Sequence, residues 1–150
     1  MEFNISAQAN NFIKNIKNDN YHNDISVLSY NRNILLLGHV KNKYLATEIE
    51  RIAKSQTASR NVYNYITIEG DRKFQGFASD SWITSKIRTM MLRPKGFYPN
   101  NVKIKTYAGV TYAMGILTPQ EQKAVNDFVS TIPGVKKVIT LYEDIIIDNN

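Results

Sequence analysis

The amino-acid sequence predicts an α+β protein made of two tandem αββαβ units, each a small three-stranded sheet packed with two helices. Three observations predict it. First, Ile25–Tyr30, a polar turn and Ile34–Gly38 recur as Val102–Tyr107, a turn at Ala108-Gly109 and Thr111–Gly115; the pairs Ile25/Val102, Tyr30/Tyr107 and Gly38/Gly115 are each 77 residues apart. Second, the spacing becomes 76 past the next helix, pairing Ile52 with Phe128 and Val62 with Val138, as one extra residue near Lys41–Lys43 would produce. Third, apolar residues alternate between helical and strand periods in the same order in both copies.

The elements follow in order. Ile5, Ala9, Phe12, Ile13 and Ile16 recur at helical spacing and predict the first helix. Ile25–Tyr30 and Ile34–Val40 predict a hairpin around Asn31-Arg32-Asn33, because asparagine tolerates positive φ. Leu45, Ile49, Ile52 and Ala53 mark a second helix, and Val62–Ile68 a final strand. Gly38 and Gly115 are expected where a strand hands over to a loop. Ile34–Leu37 is apolar at every position, and a strand apolar on both faces is normally covered on both. The first unit's sheet is therefore expected to be covered by the second unit.

These boundaries place the first, divergent unit at 1–69, a polar, glycine-bearing linker at 70–79 and the second unit at 80–150. The second unit opens on a helix from Asp80, read as its N-cap, to the stop at Arg93-Pro94 and Gly96. Val102–Tyr107 alternates Val102 and Ile104 against Lys103 and Lys105. Thr118 followed by Pro119 starts the last helix. Its core side is read as Ala124, Val125, Phe128 and Val129, with Pro133-Gly134 as the stop before a strand over Val135–Tyr142.

Composition narrows the function. A chain of 150 residues, 43% hydrophobic and 21% charged, is globular. It has no cysteine, which excludes disulfides, thiolate catalysis and cysteine-held metals. The net charge is +6, and each half carries +3 (10 basic against 7 acidic residues, then 9 against 6), so the excess is not polarised between the halves. Locally it is: Lys86, Arg88, Arg93, Lys95, Lys103 and Lys105 face Asp80 alone between 80 and 105. His22 and His39 lack ligand spacing and read as surface or turn residues; no nucleophile motif, P-loop or dinucleotide fingerprint occurs. No enzymatic activity, metal or cofactor is expected.

On a helical wheel Ile83, Ile87, Met90 and Met91 form a core stripe, while Trp82, Lys86, Thr89 and Arg93 share another face. An indole among cations is the composition of an interfacial anchor, the ring settling at headgroup level while Lys and Arg meet phosphates. Packing of Trp82 against the first unit or the linker phenylalanines is the competing outcome.

Asp80-Ser-Trp-Ile-Thr-Ser-Lys-Ile-Arg88, Val102–Thr106 with its turn and Met114-Gly115, and Ile132-Pro-Gly-Val-Lys-Lys-Val138 resemble the three signatures of a BON domain. Ile34–Gly38 and Asn61–Asn64 resemble a divergent copy, so the pair covers nearly the whole chain and is similar to the dual-BON outer-membrane lipoproteins. The resemblance implies a periplasmic, outer-membrane-associated protein of a Gram-negative bacterium that binds phospholipid rather than catalysing, in support of envelope integrity. It also implies a lipobox cysteine, which would belong to a leader outside these residues. With it, an anionic, phosphatidylglycerol-like membrane surface becomes the expected partner of Trp82, Lys86, Arg88, Thr89, Arg93 and Lys95. Lys103 and Lys105 could extend this patch. A protein-interaction scaffold docking an envelope protein is the alternative. Nucleic acid is not expected: there is no Gly-x-x-Gly loop or aromatic RNP strand, although Tyr107 and Tyr112 could stack bases.

Overall fold

The computed structural model describes residues 2–15, 23–56, 58–68, 77–91 and 102–144. The chain divides into two compact units, Met1–Lys73 and Phe74–Asn150. The first contains α1 (Glu2–Asn15), β1 (Asp24–Tyr30), β2 (Asn33–Val40), α2 (Lys43–Lys54) and β3 (Asn61–Ile68); the second contains α3 (Phe77–Met91), β4 (Val102–Tyr107), β5 (Val110–Leu117), α4 (Pro119–Ser130) and β6 (Lys137–Asp144). Both are αββαβ, and each sheet runs in chain order with an antiparallel hairpin and a parallel third strand.

Register confirms the duplication residue by residue. Ile25 lies opposite Gly38 as Val102 lies opposite Gly115, and Ile34 opposite Val62 as Thr111 lies opposite Val138. The residue before each parallel strand donates its N–H to the hairpin turn, Arg60 to the Arg32 carbonyl and Lys136 to the Gly109 carbonyl, both at 2.8 Å. In the first helices the equivalence is 78. Ile5 and Ala9 are core residues as Ile83 and Ile87 are, so Asn4, which is exposed, stands where Trp82 stands.

In the first unit Ile5, Ala9, Val27, Ile34, Leu36, Val40, Leu45 and Ile49 form one core between sheet and helices, and Phe12 of α1 meets Tyr44 of α2 at 6.2 Å between ring centres. On the other face of the sheet Leu28, Leu35 and Leu37 are also buried. The side chains of Ile13 and Ile16 lie outside the description, as does His22. The tight turn is Asn31-Arg32, with φ of 49° and 62°; Asn33 is not part of it but a buried strand residue paired with Tyr30. Gly38 and Gly115 lie within β2 and β5 rather than at their ends. At Gly38 the reason is local: φ is +146°, and a Cβ there would stand 2.0 Å from the Asp24 carbonyl oxygen of the facing strand. His39 is not a surface residue either. It is buried, with Nδ1 2.7 Å from the Thr67 hydroxyl.

In the second unit Ile83, Ile87, Val102, Ile104, Ala113, Leu117, Val125 and Val129 form the core, with Phe128, Val135, Val138 and Tyr142 packed against it. α4 begins at the Thr118–Glu121 capping box, in which the Thr118 hydroxyl accepts from Glu121 N–H and the Glu121 carboxylate from Thr118 N–H. Ala124, expected in the core, is exposed, because Val125, Phe128 and Val129 complete the inward stripe without it. α4 closes at Thr131, ahead of Pro133-Gly134, and β6 starts at Lys137 rather than Val135.

Candidate functional site

The candidate site is a helix face, and what points one stripe of α3 outward is how the opposite stripe is held. Asp80 was expected to cap the helix, yet α3 starts three residues earlier, at Phe77. Its carboxylate instead reaches the β4–β5 turn. Oδ2 accepts from Ala108 N–H at 2.7 Å and Oδ1 from Gly109 N–H at 2.9 Å, with Asp80 only 5% exposed. The turn needs positive φ at both residues, 52° and 80°, and so projects two adjacent N–H groups that no strand pairs. An ionised carboxylate is the natural acceptor for both.

Four residues on, the Thr84 hydroxyl accepts the N–H of Thr106 at 3.0 Å; four further, Arg88 Nη2 donates to the Ile104 carbonyl at 3.1 Å. Asp80, Thr84 and Arg88 thus descend one helix stripe as their partners descend β4 two residues at a time. β4 is an edge strand, and this ladder satisfies outward backbone groups that would otherwise be left open. The spacing i, i+4, i+8 was readable in the sequence, but nothing in it announced that the partner was backbone.

The face turned away carries Trp82, 51% exposed, with the Lys86 ammonium 4.7 Å from its ring centre. This is cation–π contact of an exposed kind, worth about 0.5–1 kcal/mol. Thr89 is exposed on the same face and its hydroxyl donates to the Ser85 carbonyl at 2.8 Å. Of the six expected residues the structure brings these three together. Arg88 is separated from them by its bond to β4. Arg93 and Lys95 lie outside the described residues, as do the side chains of Met90 and Met91. Lys103 and Lys105 do not extend the patch: they alternate with Val102 and Ile104, which pack under α3, and so occupy the sheet's other face. Tyr107 and Tyr112 are buried, which removes them as stacking platforms for bases.

Among the described residues no helix is long and apolar enough to cross a membrane, and no three of His, Asp and Glu gather as a metal site. Burial pushes the Tyr142 phenol above its usual 10, and its hydroxyl donates to Asn126 Oδ1 at 2.9 Å, a structural bond beneath α4.

Two αββαβ units of this topology, with matching registers and turns, define the class of protein. The BON-domain family profile matches residues 3–70 and 79–142, and the chain belongs to that family. It is similar to the outer membrane lipoprotein DolP of Haemophilus influenzae, 29% identical over 119 residues that make up 79% of this chain and 62% of that protein. It is also similar to a 21 kDa hemolysin of Actinobacillus pleuropneumoniae, 29% identical over 77% of this chain and 59% of the relative. The chain thus spans about three-fifths of the length of these relatives. Among solved structures, CdsD, a structural protein of the type III secretion system of Chlamydia trachomatis, aligns over 94% of this chain and 92% of its own at 12% identity and a TM-score of 0.38.

Proposed function

We propose that this chain is a non-catalytic envelope protein that binds anionic phospholipid through the outward face of α3. The observation that carries the reading is the Trp82–Lys86 pair: a half-exposed indole under an ammonium, on a helix whose other side is tied to β4. Such a pair offers the two terms of interfacial binding together, apolar insertion at headgroup depth and attraction to phosphate. Arg93 and Lys95 follow in sequence and add cations to the same segment. Each basic residue near an anionic surface contributes about 1 kcal/mol, so the contact is weak and salt-sensitive and works best beside a second attachment. The similarity to a protein named an outer membrane lipoprotein supports an outer-membrane-associated, periplasmic setting.

Co-sedimentation with phosphatidylglycerol vesicles, against neutral phosphatidylcholine vesicles, tests the proposal. Binding should be confined to the anionic vesicles, fall with salt, and drop sharply in Trp82→Ala and Lys86→Glu. Full retention by Trp82→Ala would reject the face; equal binding to both vesicles would reject the electrostatic part.

A further inference from the structure

The two edges of the second sheet are treated differently. The β4 edge is bonded to α3 through Thr84 and Arg88, and the turn that follows it through Asp80. The β6 edge has no strand beside it among the described residues. The Lys136 N–H points inward to Gly109, and Lys137 registers with Val110. Since N–H and C=O of one residue in a parallel strand share a side and successive residues alternate, the backbone groups of Lys137, Ile139, Leu141 and Glu143 point to the open side. An open edge is a template for another strand.

Charge says which strand. β6 is entered through Lys136-Lys137 and ends in Glu143-Asp144, with Lys137, Thr140 and Asp144 exposed. We propose that β6 pairs antiparallel with β6 of a second copy of this chain, about a twofold axis at Thr140. That register sets Ile139 opposite Leu141 and Lys137 opposite Glu143 as hydrogen-bonded pairs, because both members present outward backbone groups. Val138 opposite Tyr142 and Lys136 opposite Asp144 are the pairs between them. The twofold repeats each charge pair at the other end of the ladder, so both basic ends meet acidic ends. A parallel pairing would set lysine beside lysine. Sliding the antiparallel ladder by two residues either way removes the charge match, which is how register is fixed where the backbone alone is indifferent. An open depression of about 330 Å³ lined by Ser130, Val135, Lys136, Lys137 and Val138 lies beside the start of β6, and the partner copy's Asp144 comes alongside its Lys136 rim. The interface is isologous, as a twofold dimer requires, and joins two three-stranded sheets into one of six.

The chain has no cysteine, so a single thiol reports the axis. Opposed Cα atoms at a non-hydrogen-bonded antiparallel position are about 4.5 Å apart, within disulfide reach. Thr140→Cys should therefore oxidise to a covalent dimer on the order of tenfold faster than Asn4→Cys on exposed α1, as an encounter held at high effective concentration does. By sedimentation velocity the unmodified chain should dimerise with rising concentration. Lys136→Glu/Lys137→Glu and Glu143→Lys/Asp144→Lys should each be monomeric, and mixing the two should restore dimer. Equal oxidation of the two cysteine variants, or monomers after mixing, overturns the proposal; if a charge-reversed chain fails to fold, the cysteine comparison alone decides. A monomeric unmodified chain at every concentration also overturns it and leaves the edge to a different extended segment.

Discussion

The Asp80 carboxylate holds Gly109 from across the unit, Oδ1 accepting the Gly109 N–H at 2.9 Å while Oδ2 takes Ala108. One side chain on α3 thereby closes a β-turn 29 residues later in the chain. It lies on the same stripe of α3 as Thr84 and Arg88, whose bonds to Thr106 and Ile104 of β4 hold the helix in the same rotation.

Removing that carboxylate should be costly. Asp80→Ala leaves two turn N–H groups without their acceptor and is expected to destabilise the second unit by about 3 kcal/mol, with Asp80→Asn, which keeps one acceptor, near half that. Urea unfolding measures both. A variant as stable as the parent would mean that water serves the turn equally well.

Two glycines should behave differently under the same substitution. Gly38→Ala puts a Cβ 2.0 Å from a backbone oxygen at φ +146°, which the sheet relieves only by parting β1 from β2; a loss of about 3 kcal/mol or more is expected. Gly109→Ala, at φ +80°, meets only the Lys136 side chain at 3.0 Å, which can swing away, and should cost about 1–2 kcal/mol. Thermal melts of the pair check the order, and a reversed order would contradict it.

These two sites show where sequence reading succeeds and where it stops. The repeat, the order of the elements and the Thr118 cap were legible because periodicity, offset and capping chemistry are local. Asp80 was misread for the same reason: locally it is a good N-cap, and only the fold brings the turn's donors to it. His39 and Gly38 were misplaced although the strand was expected to reach Val40, as β2 does, because both residue types read locally as turn or surface residues, and only the fold brings the Asp24 carbonyl against Gly38 and Thr67 against His39. The Trp82–Lys86 stripe was legible from the wheel, whereas the detachment of Arg88 depended on which β4 carbonyl lay within reach. Lys103 and Lys105 matched the patch in charge but fall on the wrong side of the sheet, a fact that belongs to packing.

Alkaline stability should respond to Tyr142. Burial favours its neutral form and raises its folded pKa above 10, so the phenol's contribution is whole below pH 10 and is lost as pH rises beyond it. Stability should fall above that point, and Tyr142→Phe should flatten the fall while costing about 1 kcal/mol near neutrality through the lost bond to Asn126. Urea midpoints from pH 8 upward read the difference; parallel curves for the two proteins would refute the assignment.

Charge on the outward face should tune membrane binding without touching the fold. Lys86→Glu removes the ammonium over Trp82 and places a charge of the lipid's own sign on the face, so vesicle affinity should drop about tenfold or more, from about 1 kcal/mol for each unit of charge changed, while stability falls by no more than about 0.5–1 kcal/mol, the worth of the lost contact with Trp82. A matching loss of stability would instead assign Lys86 a structural role.

Trp82 is the only tryptophan in the chain, so its own emission tests the central claim most directly. On adding phosphatidylglycerol vesicles the emission should shift to the blue and be quenched by lipids brominated near the headgroup end of the acyl chain, with neither change on phosphatidylcholine. Emission that stays unshifted and unquenched while the protein sediments with the anionic vesicles would contradict the account, because the membrane would then be meeting some other surface.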